Sequence, residues 1–261
     1  MARPDKVPAA RQVLAILGHL ARQAGPVPAA AVARDLGLPR STTYQLLSTM
    51  VEYGYVMHLV DERRYCLGAA AYELGSGYTR SEPLVRLARV PLTRLAERTG
   101  HVTHLSVLHG TEVLYVIENR PPGAPQLGSD AGVRLPAQLT ASGRAMLSAL
   151  PPAQVDILFT RAGTPIDTRA DGPGSLAALR EVLVQTRRRG HATEDGEVTP
   201  GIAAVAVPVL DRAGHPVAAV AASYPQGAPQ DGVVDEVART AQVISSRIGG
   251  PPPPQATLKG H

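Results

Sequence analysis

The 261-residue sequence predicts an α+β architecture in two parts, and three observations carry that expectation. A short helical run at residues 27 to 36 stops at Gly37-Leu38-Pro39 and restarts as an amphipathic helix. Two pairs of β-prone segments, 102–108 with 111–118 and 202–210 with 215–223, each fold about a tight turn. Helical segments at 140–149, 152–160, 175–189 and 231–248 separate and follow the pairs. Strands joined as hairpins and interleaved with helices make an antiparallel sheet with helices packed on it, not a doubly wound parallel sheet.

The first part begins with RQVLAILGHL at 11–20, where Val13, Ile16, Leu17 and Leu20 share one side of a helix. Pro28 and Pro39 suit the first turns of the next two helices, where a missing N–H costs nothing, and Gly37 permits the tight turn between them. Val32, Ala33 and Leu36 stripe one helix; Thr43, Leu46, Leu47 and Met50 stripe the next. This is a helix-turn-helix pattern. On the far face of its second helix stand Ser41, Gln45 and Ser48, flanked by Tyr44 and Thr49, with Arg40 and Thr42 at its start. Short or hydrogen-bonding side chains of this kind suit base-edge contacts in a DNA major groove.

Two β-prone runs, 54–59 and 64–67, follow around Asp61-Glu62-Arg63 and predict a wing hairpin, with Arg63 and Arg64 near its tip to meet phosphate or a minor groove. Residues 1–67 hold eight basic and five acidic residues, so this part supplies +3 of the formal net charge of +4. A basic module on a nearly neutral remainder fits phosphate contact; solvated surface arginines are the plainer alternative. An αα-corner or a winged helix whose 40–49 face binds protein remains open, and a salt-dependent DNA mobility shift separates them.

Beyond the wing, AAAYELGSGYTR at 69–80 reads as a linker helix loosened by Gly75 and Gly77. An amphipathic run from Glu82 to Arg98 comes next, in which Pro91 predicts a kink or a break. Pro208 within a strand predicts an edge position or a bulge. The loop RPPGAPQLGSDA at 120–131 and the tail GGPPPPQATLKGH at 249–261 are too rich in Pro and Gly to pack regularly, and the tail is expected to be disordered.

Several function classes are excluded or disfavoured. The apolar runs fall far short of the roughly 20 residues a membrane helix needs, and the N-terminus has no apolar signal core, so a cytoplasmic location is expected. Cys66 is the only cysteine, which rules out an intrachain disulfide and a multi-cysteine zinc site. Lysine occurs only at Lys6 and Lys259, which removes a Schiff-base mechanism, and no nucleophile elbow, P-loop or dinucleotide fingerprint is present. His101 and His104 would point to opposite faces of a strand, so a shared metal is disfavoured and core or pocket-lining roles are expected. No catalysis, cofactor or metal is expected.

With these motifs in order, the chain resembles the IclR family of bacterial transcriptional regulators over about residues 9 to 248. The resemblance lies in GLPRSTTYQLLSTMVEYGYV, RYCLG, LTRLAERTGHVTHLSVLHGTEVLYV, GVRLPAQLTASGRAMLSAL, RRRGHATEDGE and PGIAAVAVPVLDRAGHPVAAVAAS. It implies a winged helix-turn-helix domain at 9–68, the linker at 69–80, and a GAF-like effector-binding domain at 81–248. It also implies homodimers, or dimers of dimers, on palindromic promoter DNA.

The start of the helix at Thr140 offers backbone N–H groups of Ala141, Ser142 and Gly143 to a ligand carboxylate, with Thr140 or Ser142 able to cap it; a plain N-cap is the alternative. The resemblance places an effector pocket here and carries an acidic group to Glu194 and a serine to Ser223, while Ala204 and Ala221 stand where the family has a cysteine and a serine. Glu194 could equally be a solvated acid and Ser223 a strand-end hydroxyl bonded to backbone. Two lost polar groups would each leave part of a compact polar ligand unpaired, at about 1–3 kcal/mol, so a glyoxylate-sized effector is disfavoured. The expected ligand is a small organic acid with an apolar or aromatic body against Ala204, Val205 and Ala221.

Overall fold

The computed structural model describes residues 7–74, 83–124, 127, 130–161, 166, 172–228 and 232–251. The chain divides into two compact units, Met1–Ser81 and Glu82–His261. Parts of the expected linker (75–80), of the loop 120–131 (residues 125, 126, 128 and 129) and of the tail (252–261) lie outside the described residues; 69–74 are helical.

In the first unit α1 (Pro8–Ala21), α2 (Ala29–Asp35) and α3 (Arg40–Glu52) pack with a hairpin of β1 (Val56–Leu59) and β2 (Arg64–Leu67). Ile16, Leu20, Val32, Leu47, Met50, Val56 and Tyr65 form its core. The helix starts differ by one residue from the sequence expectation. Pro28 and Pro39 are the residues before α2 and α3, in extended backbone, rather than their first turns. Gly37 turns the chain at φ +64°, a conformation costly to any residue with a Cβ. Val27 pairs with Tyr65 through two backbone hydrogen bonds of 2.9 and 2.8 Å, which fastens the hairpin to the segment between α1 and α2.

The second unit is a six-stranded antiparallel sheet in the order β5-β4-β3-β8-β7-β6. Its strands are β3 (Val102–His109), β4 (Glu112–Asn119), β5 (Arg134–Pro136), β6 (Ala192–Asp195), β7 (Ile202–Leu210) and β8 (Pro216–Pro225). On one face lie α4 (Pro83–Thr99) and α8 (Val233–Arg247), whose Val85, Ala88, Leu92, Val237 and Ile244 meet Leu105, Val205, Val207 and Val220. On the other lie α5 (Ala141–Ala149), α6 (Pro152–Arg161) and α7 (Leu176–Arg189) over an alanine-rich surface of Ala192, Ala204, Ala206, Ala219 and Ala221.

Pro91 does not break its helix. α4 runs through it from Pro83 to Thr99. A proline at 91 has no N–H to donate to the Leu87 carbonyl, and in its place the Arg247 guanidinium of α8 donates to that oxygen at 2.9 Å. Pro208 sits where the strand expectation put it: β6 starts opposite Ala206 and so does not reach it, and the β7–β8 register shifts between Val209 and Leu210.

Candidate functional site

Two constellations carry the chemistry. The first is the outer face of α3. Thr43, Leu47 and Met50 are buried and hold the helix on the core, while Arg40, Ser41, Tyr44, Gln45 and Ser48 are exposed and Thr42 is half-buried. Thr49 spends its hydroxyl on the Gln45 carbonyl, and Thr43 donates to Pro39 O, so neither competes for the exposed row. The exposed row is free of carboxylates over the first three turns, as a surface facing phosphate must be. The wing contributes less charge than its sequence suggests. Arg63 is exposed at the tip beside Asp61 and Glu62, and the Arg64 guanidinium donates to the Pro26 carbonyl at 3.0 Å.

The second is a cavity between α5 and the sheet. Register builds it. Glu194, Ala204 and Ser223 lie side by side across β6, β7 and β8, and Ala206, Ala221 and His104 form the next row over β7, β8 and β3. Ala141 and Ser142 of α5, Tyr115 of β4, Leu127, and Val198, Thr199 and Ile202 after β6 complete the walls. The enclosed space is about 20 Å³, room for about one water, so a ligand enters only as the walls give.

Of the sequence candidates, Ala141, Ser142, Glu194, Ala204, Ala221 and Ser223 line this cavity. Val205 and Gly143 do not. Strand alternation turns Val205 to the opposite face, into the core with α4 and α8. The Gly143 N–H is already bonded, at 2.9 Å, to the hydroxyl of Thr140, which is the N-cap. Gly143 serves close packing instead, because a Cβ there would stand 2.1 Å from the Ala137 carbonyl oxygen and only glycine lets α5 approach that backbone. The N–H groups of Ala141 and Ser142 have no acceptor among the described residues. His104, expected in a core or pocket-lining role, lines it, while Tyr115, Leu127, Val198, Thr199 and Ile202 were not among the sequence candidates.

The cavity's polar groups are deeply buried. Ser142 Oγ, on a residue only 1 % exposed, makes no hydrogen bond of ordinary geometry, although it lies close enough to the Tyr115 hydroxyl to ease that group's ionisation slightly. Burial, and then the Glu194 charge, holds the Tyr115 phenol far above its ordinary range. Burial, helped by Arg120, pushes the His104 imidazole down to about 3, so it is neutral. Glu194, 6 % exposed, is pushed up to about 7, chiefly by burial and further by Glu197; the Val198 N–H, which it accepts at 3.1 Å, and Arg144 act against the rise.

Behind the wall, Arg144 acts as a strut. Its guanidinium donates to Gln138 O at 2.8 Å, to Thr193 O at 2.8 Å and to Glu197 Oε1 at 2.7 Å. Glu197 also accepts from the Asp195 N–H. The strut therefore joins the loop before α5, the strand carrying Glu194 and the loop that closes over the cavity. Among the described residues no group of three or more His, Cys, Asp or Glu could hold a metal ion, and no helix is long and apolar enough to cross a membrane.

A winged-helix unit with a carboxylate-free recognition face, followed by a sheet domain enclosing a polar cavity, is the build of a ligand-responsive DNA-binding regulator. Comparison with known proteins agrees. Residues 9–58 match the IclR helix-turn-helix domain, and residues 76–247 match the family described as bacterial transcriptional regulator IclR, C-terminal. The chain is 30% identical over 243 residues to transcriptional repressor IclR of Escherichia coli, covering 91% of this chain and 88% of that protein. It is 32% identical over 215 residues to the HTH-type transcriptional regulator XynR of the same organism, covering 81% and 84%. An IclR transcriptional regulator from Alicyclobacillus acidocaldarius shares the fold with a TM-score of 0.80 at 22% identity, over 94% of this chain and 98% of that one. So does an IclR homolog from Microbacterium hydrocarbonoxydans complexed with 4-hydroxybenzoate, with a TM-score of 0.77 at 23% identity, covering 92% and 98%. The chain belongs to the IclR family: it is a DNA-binding transcriptional regulator with a C-terminal effector-binding domain.

Proposed function

We propose that this regulator reads operator DNA with α3 and that its grip is set by a small organic acid held in the cavity under α5. Gln45, Tyr44, Ser48, Ser41 and Thr42 read base edges, and Arg40, Arg63 and the remaining donors of Arg64 meet phosphate. A homodimer, or a dimer of dimers, would present two such helices to a palindromic site. The observation that carries the effector reading is the buried Ser142 hydroxyl, unpaired beside the uncapped N–H groups of Ala141 and Ser142 at a helix N-terminus. Donors left unmatched in a buried place are what an incoming carboxylate satisfies, and the helix dipole adds to the attraction.

The ligand's body lies against Ala204, Ala221, Ile202 and Leu127, an apolar wall that favours an aromatic or branched acid over a compact keto acid. The structural relative that carries 4-hydroxybenzoate has the same fold and makes that acid a sensible first probe. The test is a mobility shift on the chain's own upstream region, at two salt concentrations, with and without aromatic, branched and keto acids. Salt-dependent binding that aromatic or branched acids change is the expected result. Indifference of the DNA complex to every acid would overturn the effector reading, and tighter calorimetric binding of the keto acids would overturn the preference for an apolar body.

A further inference from the structure

An acid that enters this cavity brings a second carboxylate into a space that already holds one. Glu194 projects from β6 into the cavity, deeply buried, and accepts a hydrogen bond from the Val198 N–H at 3.1 Å. Whether two anions can coexist there depends on the charge of each facing group. Among the described residues Arg144, from α5, is the only cation bearing on Glu194, and its charge is already matched by Glu197 at 2.7 Å, with its other donors on two carbonyls. Two further acids stand at and after the end of β6: the Asp195 carboxylate is held by Gln226 at 2.9 Å, and Glu197 adds to the upward push on Glu194. Tyr115 from β4 is a phenol kept protonated by burial, and Tyr224 of β8 turns to the opposite face of the sheet, against His101. His104 from β3 is neutral. Among the described residues no uncommitted cation faces the cavity to balance two anions, and two carboxylates in one buried space cannot both stay ionised.

We propose that the cavity takes up a monocarboxylate together with one proton that settles on Glu194, and that Glu194 thereby selects monoanionic acids over dianions. This rests on the cavity being the effector site. The balance is simple: the ligand enters as RCOO⁻, a solvent proton adds to the Glu194 carboxylate, and the neutral acid becomes a hydrogen-bond donor to the ligand or to Ser142. The group is poised for this, since its raised ionisation range makes the proton cheap near neutral pH. A dianion would need a second proton or a second cation, and neither is on hand.

Isothermal titration of the full-length chain tests it, with 4-hydroxybenzoate, benzoate and isovalerate as probes and terephthalate as the matched dianion. Each titration is run at pH 6, 7 and 8 in two buffers of different ionisation enthalpy. The expected result is close to one proton taken up per monocarboxylate at pH 8 and little at pH 6, with affinity falling towards about tenfold per pH unit above 7. Terephthalate is expected to bind at least about tenfold more weakly than benzoate, one charge's worth of selection. Glu194→Gln is expected to lose both the proton uptake and the pH dependence. Monocarboxylate binding with no buffer dependence at pH 8 overturns the proposal while leaving the effector site standing, and so does proton uptake that survives Glu194→Gln, which would move the proton to His104. If none of the monocarboxylates binds at any pH, the effector reading falls and the proposal with it.

Discussion

Glu194→Gln has a consequence that needs no ligand. The folded Glu194 carboxyl titrates at about 7 rather than at its ordinary 4.5, because burial removes water from the charged form. At about 1.4 kcal/mol for each tenfold change in the ionisation constant, that separation corresponds to about 3 kcal/mol of folding free energy. Between pH 4.5 and 7 the unfolded chain has released this proton while the folded chain still holds it, so stability declines as pH rises. The contribution of Glu194 is fully present below about pH 4.5 and lost once the pH passes about 7.

Glutamine keeps the shape and the hydrogen-bonding oxygen but does not titrate. The variant is therefore expected to gain on the wild type by up to about 3 kcal/mol between pH 5 and pH 8, with water entry into the cavity reducing the figure. For a unit of this size the thermal midpoint moves by about 2–4 °C per kcal/mol, so the difference in midpoint between variant and wild type should widen by about 6–12 °C across that range. Parallel melting scans of both proteins at pH 5, 6, 7 and 8, without effector, provide the measurement. Curves that keep a constant separation would refute the buried-carboxyl reasoning, and a separation that shrinks with rising pH would reverse its sign.

Three further outcomes rest on particular contacts. Gln45→Ala is expected to cost about 1–3 kcal/mol on the cognate operator and little on scrambled DNA, whereas Arg40→Ala should weaken both alike and lower the salt slope by about one; equal losses on all sequences for Gln45→Ala would remove its base-reading role. Gly143→Ala would ordinarily favour a helix by about 1 kcal/mol, yet the new Cβ meets the Ala137 carbonyl at 2.1 Å, so melting should show net destabilisation and titration a lost acid response. Arg247→Met should lower the midpoint of the larger unit by the equivalent of about 1 kcal/mol, by leaving the Leu87 carbonyl without its donor beside Pro91; hydrogen exchange should rise in α4 and not in α7.

The recognition unit was legible because its signals are local. A glycine at positive φ, two prolines and a 3.6-residue apolar stripe sit within about thirty residues, and only the helix starts and the start of β1, at Val56 rather than 54, moved. The features the sequence concealed depend on partners far along the chain. Pro91 reads as a break until Arg247, 160 residues from Leu87, is seen to satisfy the carbonyl it orphans. β5 and β6, three and four residues long, are too short to show a period of two and exist by pairing with β4 and β7. The cavity was half legible. Helix-end chemistry at Thr140–Ser142 and the acid at Glu194 could be located from the motif, but His104 and Tyr115 join them only through strand order. Val205 was avoidable: adjacent residues on a strand face opposite ways, so it and Ala204 could not both meet one ligand.

The two faces of the large sheet divide the labour, and side-chain size explains how. Under α4 and α8 the strands present Val205, Val207, Val209 and Val220, which fill the space between layers and leave nothing for a ligand. Under α5 the same strands present Ala204, Ala206, Ala219 and Ala221, and Gly143 brings the helix backbone onto Ala137. That approach does two opposed things. It buries the first turn of α5 and Ser142 away from solvent, where unmet donors are costly, and it keeps the enclosed space near the size of one water. A ligand is favoured because it ends the first condition, and it must spread the walls to do so. The yielding part is then the segment that bears Val198 and Thr199, held by the Arg144–Glu197 pair and the Glu194–Val198 hydrogen bond rather than by sheet pairing. Protonating Glu194 weakens one of those holds as the acid arrives, which links the charge balance of binding to the opening it requires.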